Sequence, residues 1–273
     1  MTTSSGRRTP RADCIADSAG GITFDIAGLA RPGAALVLRR RGGTATTDTV
    51  RLPLTPTGTD RSRAVLPSTM ELAEGHWDAH TDDDTAVESG IRDLRSLIDR
   101  VPDAGRVAAR VPYPTTTGRL AVRSWVREPH AEAGDITFEQ GACTVRGALY
   151  GAEPGDGASV EARSGDTTHR AAAACAGGEF SFTLSFSTLA GEPDGMPTGT
   201  DRQWTLWLQP AAGAEPVRIS RILDDVWDRR NVYVYPVHET EGYRAVPCYN
   251  AENDLCIRLT APAVADGAVS HRR

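Results

Sequence analysis

The stretch GEFSFTLSF (Gly178–Phe186) carries an apolar side chain at every second position. Its phenylalanine and leucine side chains fall on one face of an extended chain, and its serine and threonine side chains fall on the other. Other short runs share this period and are separated by clusters of glycine, proline, aspartate and threonine. They include ITFDIAGL, AALVLRRR, ASVEARSG, QWTLWLQP and DLCIRLTA. The pattern predicts an all-β chain built as antiparallel sandwiches or barrels.

Three pairs of similar segments indicate that the chain contains an internal repeat. The pairs are GGITFD (20–25) with GDITFE (134–139), GHWDAH (75–80) with RQWTLW (202–207), and VPYPTTTGRLAVR (111–123) with VPCYNAENDLCIR (246–258). The separation within a pair grows along the chain from 114 to 127 to 135 residues. A duplication with insertions in the second copy produces such an order. We therefore expect two tandem β-sandwiches that arose by duplication.

The string PTGTDR occurs twice, at Pro56–Arg61 and at Pro197–Arg202. Its separation of 141 residues does not fit the order of the other pairs. Threonine, glycine and aspartate are typical turn residues. We interpret the string as a recurrent turn and not as part of the repeat.

The repeat and the composition of the linkers predict the domain limits. One sandwich is expected over residues 13–130 and the other over residues 131–262, with the boundary in the polar stretch Arg127–Gly134. Residues 1–12 and 263–273 are expected to be disordered. Two segments, Ser89–Val101 and Val217–Arg230, have helical spacing of apolar residues. Each is either a short helix or an irregular crossover, and we favour the crossover.

The composition excludes several classes of function. The chain has 273 residues, a formal net charge of -6 and a pI of about 5.6, and all 30 of its basic residues are arginine. The charge argues against a nucleic-acid binder, and the arginine bias is typical of GC-rich, actinobacterial coding. No apolar run reaches the length of a membrane span, and no secretory signal is visible. We expect a cytoplasmic protein.

The five cysteines are odd in number and form no CxxC motif. Free thiols in a reducing compartment are the simplest interpretation. Cys248 and Cys256 could form one disulfide, but no pattern in the sequence requires it.

The motifs that carry known chemistry are missing or sit in the wrong context. There is no GxGxxG after a strand, no P-loop, no GxSxG and no HExxH. His76 and His80 lie in an apparent strand, where they are about 13 Å apart and too distant to share a metal. Asp82–Asp84 resembles a DxD motif, but we expect a solvated turn. The sequence therefore predicts no catalytic residue, no metal site and no cofactor.

Aromatic residues are concentrated from Trp204 onward. In a strand, Trp204 faces inward with two leucines, while Trp207 points outward. Three interpretations of Trp207 stay open: burial against the segment that carries Trp227, a protein interface, or a platform for a sugar ring. The candidate binding residues are Trp207, Trp227, Tyr233 and Tyr235.

The segments around Trp77 and Trp204, and the pair VPYPTTTGRLAVR and VPCYNAENDLCIR, resemble tandem immunoglobulin-like accessory domains. Such domains follow the catalytic domain of bacterial family-2 glycosyltransferases that decorate wall teichoic acid, the TarS/TarP type, and of actinobacterial relatives. The resemblance implies two tandem immunoglobulin-like β-sandwiches that link subunits and do not catalyse. The residues of this sequence show no match to the catalytic domain of that family, so we expect that donor binding and catalysis do not carry over.

Three hypotheses about function follow. The first is a non-catalytic module that forms a homo-oligomer or docks onto a glycosyltransferase of cell-wall or natural-product synthesis. The second is a glycan-binding module that uses Trp207. The third is an enzyme with a site between the domains, formed by Asp224, Asp225 and Tyr235.

Overall fold

The computed structural model describes residues 9–29, 33–98, 100–102, 105–191 and 199–262. These residues form twenty β-strands, one short α-helix and two single 3-10 turns. The helix α1 spans Phe186–Ala190, and the 3-10 turns span Thr46–Asp48 and Arg95–Leu97. The prediction of an all-β chain is confirmed. No helix among these residues has the length and apolar composition needed to span a bilayer.

The chain divides into two compact units. The described parts of Met1–Glu128 and Ile222–Trp227 form the first unit, and those of Pro129–Arg221 and Asp228–Arg273 form the second. The strands of the first unit are β1 (Arg11–Ala16), β2 (Ile22–Ala27), β3 (Ala35–Arg40), β4 (Thr49–Pro53), β5 (Thr55–Gly58), β6 (Arg61–Leu66), β7 (Gly75–Thr81), β8 (Glu88–Asp93), β9 (Val107–Pro114) and β10 (Leu120–Arg127).

The first unit contains two five-stranded sheets. Their strand orders are β5-β6-β2-β1-β8 and β4-β3-β7-β10-β9. All neighbours are antiparallel except β1 and β8, which are parallel. Alternating burial along β2 and β6 gives each strand one apolar face. Phe24, Trp77 and Trp125 are fully buried in the core.

The strands of the second unit are β11 (His130–Glu139), β12 (Ala142–Tyr150), β13 (Ser159–Ser164), β14 (Thr167–Ala176), β15 (Glu179–Ser185), β16 (Asp201–Gln209), β17 (Val217–Ser220), β18 (His238–Glu239), β19 (Arg244–Tyr249) and β20 (Leu255–Thr260). Seven of them close into a barrel in the order β13-β14-β15-β12-β11-β17-β16, because β13 also pairs with β16. Strands β20, β19 and β18 extend the sheet from β16. The barrel interior holds Trp204, Leu206 and Leu208, all fully buried.

The prediction of two tandem immunoglobulin-like sandwiches is wrong, because the second unit is a closed barrel. A physical reason lies in two stretches of sequence. In the first unit the chain is interrupted at Leu54 between β4 and β5, and Pro53 and Pro56 lack the N–H that a continuous ladder needs. In the second unit, β14 contains neither proline nor glycine and pairs with both β13 and β15. In the second unit, the unbroken strand β14 thus joins β13 and β15 into one sheet, whereas in the first unit β4 and β5 belong to separate sheets.

The aligned segments share a local strand pairing and not a whole architecture. Val122 on β10 lies opposite Trp77 on β7, and Ile257 on β20 lies opposite Trp204 on β16. The sheets to which these strands belong differ in size and closure. The two units are therefore not two copies of one sandwich.

The PTGTDR string forms a turn in the first unit, where it ends β5 and begins β6. In the second occurrence, Pro197 and Thr198 lie outside the described residues, Gly199 lies in a turn with φ of 80°, and Asp201 begins β16. Since β6 and β16 have different partners, the string occupies unrelated places.

The segments with helical spacing are not α-helices. Ser89–Val101 contains most of β8 and then the 3-10 turn, so the expected crossover is a strand over much of its length. Val217–Arg230 begins with β17 and is irregular after Ser220. Of the termini expected to be disordered, residues 1–8 and 263–273 lie outside the described residues, whereas Arg11 and Ala12 belong to β1.

Candidate functional site

The four predicted binding residues lie in three separate places. Trp207 is on the outer face of the barrel, in β16. Trp227 belongs to the first unit. Tyr233 and Tyr235 lie in the second unit, on a segment without regular secondary structure that precedes β18. Within the second unit, none of the described ring contacts joins Trp207 to Tyr233 or Tyr235.

Trp207 is half-buried between two arginine side chains. The guanidinium carbon of Arg163 lies 4.5 Å from the centre of the indole ring, and that of Arg218 lies 5.2 Å from it. Arg163 comes from β13 and Arg218 from β17, and these two strands flank β16 on opposite sides. The indole Nε1 donates to Thr205 Oγ1 at 3.2 Å. A sugar ring that displaced either guanidinium group from the indole would forfeit a cation–π contact.

An open groove of about 680 Å³ lies beside this stack, and Arg163 borders both. Glu161, at the base of the groove, is 3% exposed and lies opposite Trp207 in the strand register. Its Oε2 accepts two hydrogen bonds from Arg163 at 2.8 and 2.6 Å, and its Oε1 accepts two from Arg170 at the same distances. One buried carboxylate therefore fixes two guanidinium groups.

The electrostatics of Glu161 follow from these contacts. Burial alone would raise the pKa of Glu161, but the hydrogen bonds and charges of Arg163 and Arg170 outweigh burial and lower it. The carboxylate is therefore ionised at neutral pH.

Trp227 stacks on Tyr113 within the first unit. The two rings are 4.0 Å apart and inclined by 18°. The hydroxyl of Tyr113 lies 2.7 Å from Nδ1 of His76. Burial raises the pKa of Tyr113, so the phenol stays protonated. This arrangement is the packing of a half-buried tryptophan on a buried tyrosine.

Tyr233 and Tyr235 pack into a cluster with Tyr249 on β19. Ring centres are 6.0 Å apart for Tyr233 and Tyr249, and 6.3 Å apart for Tyr235 and Tyr249. The guanidinium carbon of Arg229 lies 5.0 Å from the ring centre of Tyr233 and 5.6 Å from that of Tyr249. Burial is the main cause that raises the pKa of Tyr249. These tyrosines therefore anchor the segment that carries them.

We call residues 232–237 the edge segment. Its tyrosines face the cluster, while Val232, Val234 and Val237 are 58%, 88% and 47% exposed. Among the described residues, no main-chain hydrogen bond joins Val234 or Val237 to another segment. Strand β18 continues the edge segment and pairs with β19 over two residues only. Pro236 and Pro247 both lack an N–H, which prevents a longer ladder.

The acidic runs are structural in the residues described. Asp82–Asp84 forms the turn after β7: Thr81 N donates to Thr85 O at 2.8 Å, Asp84 has φ of 66°, and Asp84 pairs with Arg39. Asp224 Oδ1 accepts from Val226 N at 2.9 Å. Asp224 and Asp225 belong to the first unit and Tyr235 to the second. In the described part of the chain, no three His, Cys, Asp or Glu side chains are grouped to hold a metal ion.

All five cysteines are free thiols. Cys248 lies directly opposite Cys256 on β19 and β20. Burial raises the pKa of Cys256 to about 12 and also raises that of Cys248. Neither thiol is activated as a nucleophile.

Solved structures with a weak similarity to this chain include two crystal structures of TarS from S. aureus. One is a TarS fragment, with a TM-score of 0.28 and 13% identity over 64% of this chain and 55% of that chain. The other has a TM-score of 0.28 and 12% identity over 63% of this chain and 34% of that chain. This chain thus spans about half of one and a third of the other. No protein-family model matches the sequence, and no curated protein is similar to it.

The groove around Glu161 is the feature that sequence reasoning missed. A usable signal was present in the stretch SVEARSGDTTHR, residues 159–170. Gly165 and Asp166 form a two-residue hairpin turn of a common type, which sets Ser164 opposite Thr167 and hence Glu161 opposite Arg170. A hairpin predicted at this turn therefore places Glu161 beside Arg170.

Proposed function

We propose that this protein is a non-catalytic module that associates with a second copy of itself along the edge segment. The observation that carries the proposal is the presence of exposed valines on a segment that leads directly into the edge strand β18. Among the described residues, Val234 and Val237 form no main-chain hydrogen bond to another segment. Such an edge is a template for a strand of another chain.

The sequence of the edge segment favours pairing. Monomeric proteins protect sheet edges with charged side chains and with proline. The stretch NVYVYPV, residues 231–237, contains no charged side chain, and its one proline, Pro236, follows Val234. Tyr233 and Tyr235 hold one side of the segment against Tyr249 and Arg229. Because the segment is already ordered by these contacts, pairing costs little additional conformational entropy.

A second copy is the occupant that the geometry favours. About a two-fold axis, the same uncharged segment meets itself in antiparallel orientation, so one contact covers the open edge of both copies. The raised pKa of Cys256 keeps its thiol protonated and unreactive. The lowered pKa of Glu161 keeps its carboxylate ionised and paired with arginine. This supports association over catalysis.

Light scattering after size exclusion tests the proposal. We expect a particle of twice the 29.1 kDa chain mass, and we expect Val234→Lys to shift it to the monomer because a charge would be buried at the new pairing. Val101→Lys is the matched control, since Val101 is also 88% exposed but lies in the first unit. It should leave the mass unchanged.

A monomeric wild-type protein up to about 100 µM, a range in which weak homodimers are populated, would overturn the proposal. So would equal effects of the two lysine substitutions. Association with a glycosyltransferase and glycan binding through Trp207 stay predictions, as does an enzyme site involving Asp224, Asp225 and Tyr235.

A further inference from the structure

We propose that the groove beside Glu161 binds a phosphate group, with Arg163 and Arg170 as the binding residues. The proposal rests on a different surface from the edge segment and does not depend on self-association. Its starting point is the pair of guanidinium groups that Glu161 holds in fixed positions.

The hydrogen-bond pattern leaves donors available. Both arginines use Nε and Nη2 for the carboxylate, so Nη1 of each guanidinium group lies on the side away from Glu161. Within the described residues, neither Nη1 has a hydrogen-bond partner. The side chain of Arg170 is 67% exposed and that of Arg163 is 35% exposed, so a ligand in the groove can reach them.

The surroundings complete a polar site. Gln209 and Thr168 line the same groove. Gln209 Nε2 donates one of its two N–H groups to Ala214 O at 3.0 Å, which leaves the other for a ligand, and Thr168 offers a hydroxyl group. The stacking of Arg163 on Trp207 further restricts its guanidinium plane. Arginine donors that are fixed before binding lose little entropy when they receive a phosphate, whose oxygens match the spacing of guanidinium N–H groups.

The charge balance limits the affinity. Glu161 neutralises one of the two guanidinium charges, and Glu215 at the exposed rim adds a second negative charge. Binding is therefore expected to be weak and to fall as salt is added, because salt screens an exposed site.

Calorimetric titration of the full chain in low salt tests the proposal, with inorganic phosphate and glycerol 3-phosphate as probes. We expect one saturable site for at least one probe and a loss of about tenfold or more in affinity for Arg170→Gln. Binding of inorganic phosphate alone would assign the site to the free ion, and binding of the ester would assign it to a phosphoester. Both outcomes support the site.

Arg258→Gln is the matched control, because Arg258 forms the same two-point ion pair with Asp201 on the second unit but away from the groove. It should leave the affinity unchanged. Arg170→Lys keeps the charge without the planar fork and should weaken binding severalfold even if Arg170→Gln unfolds the protein. No saturable binding of either probe, or equal losses in Arg258→Gln and Arg170→Gln, would overturn the proposal.

Discussion

At the scale of single residues, Glu161 shows how a buried charge is tolerated on the wall of a barrel. Its carboxylate is 3% exposed, and each oxygen accepts two hydrogen bonds from one guanidinium group. Desolvation of a carboxylate is costly, and fork-shaped pairing with arginine is the geometry that compensates for it. Removing the carboxylate would leave two arginines that still reach solvent, so the fold should survive the change.

The lowered pKa of Glu161 predicts an acid-sensitive contribution to stability. Because the folded pKa lies below the unfolded value, ionised Glu161 stabilises the fold above about pH 4.5, and this stabilisation is lost as pH falls through the folded pKa. Glu161→Gln should lower the free energy of unfolding by about 1–3 kcal/mol at pH 7. The difference from wild type should shrink between pH 5 and pH 3, as measured by urea unfolding.

Glu215→Gln provides the control for this series. Glu215 is an exposed carboxylate on the same groove, so its removal should change the free energy of unfolding by less than about 0.5 kcal/mol. If the difference between wild type and Glu161→Gln stayed constant down to pH 3, the coupling of this carboxylate to the fold would be refuted.

Side-chain direction in β16 was predictable, but its surroundings were not. Period-two alternation placed Trp204 inward and Trp207 outward, and Trp204 is indeed fully buried while Trp207 is half-buried on the outer face. The arginines that cover Trp207 come from β13 and β17, which lie 44 residues before it and 11 residues after it in sequence. Such neighbours depend on strand order, which the alternation of one strand does not contain.

At the scale of elements, β14 decides the architecture of the second unit. It pairs with β13 up to Ala172 and with β15 from Ala173 onward, and the N–H of Ala173 donates to Ala158 O at 3.0 Å. The alternating pattern predicted strands here but could not distinguish an edge strand from a strand that pairs with two neighbours. Pro53 and Pro56 were the signal in the sequence that the corresponding part of the first unit differs, because proline prevents one continuous strand there.

Ala173→Pro should open the barrel at this point. The substitution removes the N–H that bonds Ala158 O and should lower the free energy of unfolding by about 1–3 kcal/mol. Hydrogen exchange should show lost protection in β13 and β15 together. Ala173→Ser keeps the N–H and should preserve protection in both strands; a proline variant that perturbs β14 alone would show that the barrel does not depend on this junction.

At the scale of the whole molecule, chain order and spatial order differ. Ile222–Trp227 belongs to the first unit, although the residues before and after it belong to the second. The sequence indicated a boundary between repeats near residue 130 but gave no sign that six later residues return to the first unit. The spacing of Ile219, Ile222, Leu223 and Val226 is that of a helical stripe, but the backbone after Ser220 is irregular, and of these four side chains Ile219 and Ile222 are the buried ones.

The stacking of Trp227 on Tyr113 makes this return measurable. Trp227→Ala removes a ring that lies 4.0 Å from Tyr113 and should lower the stability of the first unit by about 1–2 kcal/mol. The loss should appear as faster hydrogen exchange in β9, the strand that carries Tyr113. Trp227→Phe retains an aromatic face and should recover much of the protection.

Trp207→Ala, which truncates another half-buried tryptophan but in the second unit, should leave β9 unchanged. Equal exchange in β9 for wild type and Trp227→Ala would mean that the segment contributes nothing to the first unit's stability, because a stacked aromatic pair that stabilises a strand cannot be removed without raising the rate at which that strand opens.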